Sequence, residues 1–170
     1  MSRTILVAFA TMYGSTKEVA EAIASALRAA GTDADVKPAK AVKKLDGYAA
    51  IVLGAPLIVG KLQKDARTFL SRHEKALSTI PVALFALGPC KDPRDEAEWK
   101  DCQGQLDKAL AGLGGLKPVA AELFGGRFDP TLLKFPFNKM AGSQPASDAR
   151  DWDAINTWAA GLPALFERSA

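Results

Sequence analysis

The sequence predicts a three-layer α/β fold, with a doubly wound parallel sheet of five strands covered by helices on both faces. Three observations predict it. Short, nearly continuous apolar runs recur along the 170 residues, as expected of parallel strands buried on both faces. Segments with helical apolar spacing separate these runs, and that alternation builds a wrapped parallel sheet. No repeat, low-complexity tract or linker breaks the pattern, so residues 1–170 read as one domain, large enough for a sizeable core.

The first apolar run covers residues 3–10. A short loop follows it, and then an amphipathic helix with Val19, Ile23 and Leu27 at i, i+4 and i+8. Ser15 and Glu18 have capping-box spacing, and Gly31 stands where a left-handed residue closes a helix. Residues 34–37 predict the second strand, with a weak helical turn near 41–45. Residues 48–54 predict the third strand, which ends in the loop 54–60.

Leu62, Ala66, Phe69 and Leu70 mark a helix ending near His73. Residues 81–87 predict the fourth strand, and a polar turn at 88–95 follows it. Trp99, Cys102, Leu106, Leu110 and Leu113 carry helical spacing to about Gly112. Residues 118–124 predict the fifth strand. An irregular insertion at about 127–150 separates it from a final helix over 152–166.

The loop after the first strand carries the strongest chemical signal: Thr11, Met12, Tyr13, Gly14, Ser15 and Thr16. Strand, hydroxyl-rich loop and helix together suit a phosphate. A helix N-terminus leaves its first N–H groups unpaired and carries partial positive charge. Gly14 permits close approach or positive φ, and Thr11, Ser15 and Thr16 add short hydroxyl donors. The bland alternative is a strand–helix turn with a good N-cap. In open α/β sheets, ligands sit beyond the carboxyl ends of the strands. The loops 11–16, 54–60 and 88–95 end three strands at that edge, so they are expected to form one site with the stretch after Phe124.

Other signals are weak or exclude functions. Net charge is +3 with no basic block, which gives no case for nucleic acid. Cys90 and Cys102 form no C-x-x-C and are expected to be free, inert thiols in a reducing compartment. No His or Cys cluster has metal-ligand spacing. The single histidine, His73, is expected to be solvated at a helix end. No leader pattern is visible, and no apolar run approaches the ~20 residues needed to span a bilayer. A cytoplasmic protein is expected, with peripheral docking at the inner face of a membrane left open. The oligomeric state is open too, a homodimer included.

Residues 131–140 (Thr-Leu-Leu-Lys-Phe-Pro-Phe-Asn-Lys-Met) have two readings. They form a lid or core plug, or an apolar surface flanked by Lys134 and Lys139 for a partner or an anionic membrane. Pro136 rules out one uninterrupted helix. Three other doubly wound classes fail on specific residues. A phosphorylation receiver needs acidic residues where Ala10-Thr11 stand and an acceptor Asp where Gly54-Ala55 stand. A low-mass tyrosine phosphatase needs a Cys-x5-Arg loop, and no Walker G-x-x-x-x-G-K-[ST] occurs.

With the loops placed, the chain resembles the flavodoxin-like FMN proteins, whose T/S-x-T/Y-G-x-T loop is matched by Thr11-x-Tyr13-Gly14-Ser15-Thr16. Within them it is similar to the flavodoxin-type protoporphyrinogen oxidases that use menaquinone. Gly54-Ala55-Pro56-x-x-x-Gly60, the apolar insertion at 128–140, and Asp151-Trp152 at the start of the last helix carry that closer likeness. The resemblance implies strand order 2-1-3-4-5 and FMN as cofactor, its phosphate held by Thr11 to Thr16. Ala55, Pro56, Leu57, Ile58, Val59 and Gly60 would line one side of the isoalloxazine, where a peptide at Gly60 or a neighbour accepts from reduced N5. Leu87, Gly88, Pro89 and Cys90 would approach its other edge. It also implies electron transfer from a small-molecule substrate to a quinone-like acceptor, with the 128–140 segment as a quinone or membrane contact. Within the same enzyme class, reduction of a quinone by a nicotinamide cofactor is an alternative, and outside it an electron-transfer or flavin-binding module that docks to a redox partner protein. Leu57-Ile58-Val59 carries no aromatic residue to stack on the ring, and the chain lacks the strong acidity of soluble electron carriers.

Overall fold

The computed structural model describes residues 3–142 and 144–170. Its sheet carries five parallel strands: β1 (Ile5–Phe9), β2 (Ala34–Pro38), β3 (Ala50–Ile58), β5 (Val82–Gly88) and β6 (Ala120–Gly125). Their spatial order is β2-β1-β3-β5-β6, and a short β4 (Lys61–Leu62) pairs antiparallel with β3. Counting the parallel strands alone, this is the expected 2-1-3-4-5 order.

Alternation along each strand divides the core in two. From β1, Ile5, Val7 and Phe9 face α1 (Ser15–Ala29) and α6 (Trp152–Ser169), where they meet Val19, Ile23, Leu27, Ile155 and Leu162. Leu6, Ala8 and Ala10 face α2 (Lys64–Arg72), α3 (Glu74–Leu77) and α4 (Glu96–Ala111), among Ala66, Phe69 and Leu106. Phe85 of β5 lies edge-on to Trp158 at 6.2 Å, and Trp158 lies edge-on to Phe124 at 5.8 Å. Phe85 and Phe124, both buried, each contribute roughly 1.5–3 kcal/mol by leaving water. α6 continues to Ser169 with Pro163 inside it, beyond the expected end at 166.

Several expectations need correction. β3 does not stop at Gly54. Its ladder with β5 continues to Pro56 opposite Leu87. The chain then turns back, Leu57 pairing with Leu62 and Ile58 with Lys61. Most of the expected loop 54–60 is therefore strand, and only Val59 and Gly60 form the tip. The helix expected to end near His73 does so, as α2, but a separate short α3 that was not expected follows it. The turn near 41–45 lies earlier, as a 3-10 turn over Ala39–Ala41. The insertion is not wholly irregular. β7 (Arg127–Phe128) pairs with β8 (Ser147–Asp148), and α5 (Phe137–Ala141) lies between them.

His73 is buried, not solvated. Its Nε2 donates to the Val42 carbonyl at 3.2 Å, and its ring lies 4.8 Å from that of Phe69. The cysteines are not free thiols: Cys90 and Cys102 form a disulfide with Cα atoms 6.5 Å apart. The spacing of 12 residues hides this, because α4 folds back beneath the loop that holds Cys90.

Candidate functional site

The carboxyl edge of the sheet brings the expected loops together by register. Phe9 lies opposite Gly54, Ala55 opposite Ala86, and Gly88 opposite Gly125. The backbone N–H of Ala10 donates to the Gly54 carbonyl at 2.9 Å, which fixes where loop 11–16 departs.

That loop closes on itself. Thr11 Oγ1 accepts from the Gly14 N–H at 2.8 Å, and Gly14 has φ of 92°, which a Cβ would strain. Gly14 is the N-cap residue of α1, and no side chain caps that helix. Ser15 therefore begins the helix, and the expected capping box with Glu18 does not form. The first N–H groups of α1 consequently point out of the helix without side-chain acceptors. Thr16 is fully buried, and its Oγ1 has no hydrogen-bond partner. An orphan hydroxyl of this kind costs about 1–3 kcal/mol. Beside a bare helix N-terminus, it suits an anion that accepts from both, so the donor set fits a phosphate.

The side chains of the other two loops divide. Ala55, Leu57, Leu87 and Cys90 are buried in the core, so only their backbone can face a ligand. Ile58 and Val59 are exposed, Val59 at 90%, and Pro89 is exposed as well. Gly60 and Gly88 are buried. Val59 and Gly60 both have positive φ, at 50° and 71°, which is the requirement of a type I′ hairpin turn. At Gly88 a Cβ would press on Leu123 Cδ1 at 3.0 Å, so a side chain there needs that leucine to shift by a few tenths of an ångström.

The exposed large hydrophobics among the described residues are Met12, Tyr13, Ile58, Val59, Leu132, Phe135, Met140 and Trp152. The insertion contributes three of them. Leu132, Phe135 at 73% and Met140 at 76% stand in solvent, so these residues plug no core. Lys139 lies 5.5 Å from the Phe135 ring centre.

Sequence reasoning missed an ionic cluster that joins the insertion to α1. Arg150 donates to Glu18 Oε2 at 2.6 Å and grips Asp148 with Nε at 2.9 Å and Nη2 at 2.7 Å. Its side chain is 5% exposed. Arg127 lies 3.6 Å from Glu18 Oε1 and 3.7 Å from Asp129. The Arg150 hydrogen bond holds the Asp148 carboxyl below its usual value, and in return raises the Arg150 guanidinium further. Glu18 and Arg150 are 132 residues apart, so no local spacing announces the pair. Glu98, also missed, orders the loop after β5, where its carboxylate accepts from the Lys91 and Asp92 N–H groups at 2.7 and 3.2 Å.

A recess of about 600 Å³ lies beside this edge, lined by residues 91–94 and 148–153. A larger groove of about 1020 Å³ lies away from it, between α2, α3 and α4, and of the expected residues only Gly60 borders it. Among the described residues no group of His, Cys, Asp and Glu could hold a metal ion. No helix among them is long and apolar enough to cross a membrane.

The comparisons agree with this architecture. A flavodoxin from Streptococcus pneumoniae TIGR4 superimposes with a TM-score of 0.56 at 17% identity, covering 95% of this chain and 98% of its own. The rubredoxin oxygen:oxidoreductase of the anaerobe Desulfovibrio gigas gives a TM-score of 0.57 at 13% identity, over 98% of this chain and 37% of that larger one. In sequence, the protoporphyrinogen IX dehydrogenase [quinone] of Escherichia coli K12 is 29% identical over 84 residues, 48% of this chain. That match spans about half of the relative, 46% of its length. The flavodoxin domain profile matches residues 6–140, well over half the chain and including the loops 11–16, 54–60 and 88–95, and the protein belongs to the flavodoxin domain family.

Proposed function

We propose that the protein is an FMN-dependent oxidoreductase. One observation carries this reading: in a flavodoxin domain, the buried Thr16 Oγ1 stands without a partner beside the uncapped N-terminus of α1. Thr11, Met12, Tyr13, Gly14, Ser15 and Thr16 hold the phosphate through backbone N–H groups and hydroxyls. Ile58, Val59 and Gly60 border one side of the ring. Gly88, Pro89 and the Cys90 backbone border its other edge. When bound, the flavin supplies the electron chemistry; the protein binds it, tunes it and limits access.

The substrate proposal is a protoporphyrinogen-like donor with a quinone-like acceptor. It is favoured by the match to the Escherichia coli dehydrogenase and by the apolar rim around the proposed ring site. Leu132, Phe135 and Met140, flanked by Lys134 and Lys139, form the surface for a quinone or an anionic membrane face. A second reading is an electron-transfer module that turns over nothing alone. It is favoured by the whole-chain likeness to a flavodoxin.

The purified protein is mixed with FMN, desalted, and its visible spectrum recorded, with riboflavin as the phosphate-free control. Retained FMN and lost riboflavin are expected. No retained flavin at saturating FMN would sink the cofactor reading. Turnover of a porphyrinogen with a soluble quinone, without a protein partner, separates the enzyme from the module.

A further inference from the structure

We propose that Arg150 is a positioning residue for phosphate binding, holding the first turn of α1 in place and cancelling the charge of Glu18. The inference rests on the FMN reading above and assigns it a residue outside the phosphate loop.

Glu18 is an acidic residue in the first turn of α1, four positions after the cap Gly14. A carboxylate there favours the helix dipole, but it opposes a phosphate bound at the same helix end. The two cations that pair with Glu18 among the described residues both come from the insertion, while Lys17 beside it pairs with Glu21. Arg150 Nη1 donates to Glu18 Oε2 at 2.6 Å and lies 3.5 Å from the Ser15 carbonyl, so it touches both sides of the first turn. Arg127 takes the other carboxylate oxygen at 3.6 Å.

Arg150 is itself fixed in place. Asp148 grips it in a two-pronged fork, and its guanidinium carbon lies 4.8 Å from the centre of the Trp152 ring at the start of α6. Asp148 is held in turn by β7, where it pairs with Arg127, and the Ala149 N–H donates to the Gly126 carbonyl at 2.9 Å. A guanidinium with a 5% exposed side chain and two carboxylate partners forms strong, geometrically specific bonds. Without Arg150, the Glu18 carboxylate would be less compensated, and the turn that presents the Ser15 and Thr16 N–H groups would lose its tie.

The test measures dissociation constants for FMN and for riboflavin with wild type, R150Q, R150K and R150Q/E18Q, with thermal unfolding as the folding control. R150Q should lose about tenfold in FMN affinity with riboflavin affinity unchanged, because only FMN brings a charge to the helix end. R150K keeps a positive charge near Glu18 but loses the fork to Asp148, so its FMN affinity should fall between wild type and R150Q. R150Q/E18Q should recover most of what R150Q loses, because the opposing carboxylate has gone. Equal losses for both flavins, or no recovery in the double variant, would overturn the proposal and leave Arg150 a structural residue. Unchanged FMN affinity in R150Q would overturn it while leaving the FMN reading intact. Failure of the wild type to bind FMN would overturn both.

Discussion

Gly54 of β3 and Phe85 of β5 share one space: they are register partners, and a Cβ at Gly54 would overlap the Phe85 ring. The ring has little room to yield, because Phe124 and Trp158 lie against it at 6.4 and 6.2 Å. Gly54 is therefore required by packing inside the strand itself. Gly54→Ala should lower the unfolding free energy by about 1–3 kcal/mol, the usual cost of overfilling a close-packed core. Phe85→Leu in the same chain should recover part of that loss, measured as a coupling energy in a urea denaturation cycle. Strictly additive effects would show that the ring moves aside freely.

Thr16→Val should separate stability from binding. The replacement keeps the shape and removes a buried hydroxyl that has no partner. Apo stability should hold or rise, by up to about 1–3 kcal/mol, since the desolvation cost of that group disappears. FMN affinity should fall roughly tenfold or more with the loss of a hydrogen bond to a charged acceptor. Riboflavin affinity should not change. A loss of stability, with FMN affinity intact, would place the phosphate elsewhere.

Val59 predicts the same opposition by another route. A β-branched residue at φ 50° in a two-residue hairpin tip is strained by roughly 1–2 kcal/mol, and this one is also 90% exposed. Asparagine is at home in that conformation, so Val59→Asn should stabilise the apo protein by about 1 kcal/mol. It should also weaken FMN and riboflavin alike, roughly threefold to tenfold, because an apolar contact at the ring side is lost. Differential scanning calorimetry and flavin titration read the two effects. A variant that binds both flavins as the wild type does would remove Val59 from the ring site.

How much of this was legible in the sequence depends on how local the cause is. The apolar run at β1 and the stripe Val19, Ile23, Leu27 reflect short-range periodicity, and both elements form. The strand–helix junction at 11–16 was legible because its closure is local, with the Gly14 N–H donating to Thr11 Oγ1 and α1 starting at Ser15. The end of β3 was not, because Gly54 and Pro56 are turn formers by composition. Here they are held in a strand by pairing with Phe85 and Leu87 and by the return of Leu62. The burial of His73 depends on Val42, and the Cys90–Cys102 bond depends on α4 folding back under its own loop. Arg150 was the least legible, since its partner Glu18 lies at the other end of the chain and reads alone as half of a capping box.

That cluster should also give the protein a specific acid sensitivity. The Asp148 carboxyl lies below its ordinary value mainly because the Arg150 side chain donates to it, with smaller help from the Arg150 backbone and from the charge of Arg127. Glu18 faces the same guanidinium from α1 and competes for it. A carboxyl whose folded value is depressed contributes stability that is fully present above its unfolded value, near 3.9, and is lost as the pH falls through the folded value. Wild type should therefore exceed Asp148→Asn in stability at pH 7, and the gap should narrow below pH of about 4 and close in stronger acid. The side chain is 45% exposed, so solvent screening keeps the gap modest. Urea midpoints of both proteins across that range measure it. A gap that is the same at pH 7 and in strong acid would mean that Asp148 acts through shape alone, and that the charge of the Arg150 fork contributes nothing to holding the insertion against α1.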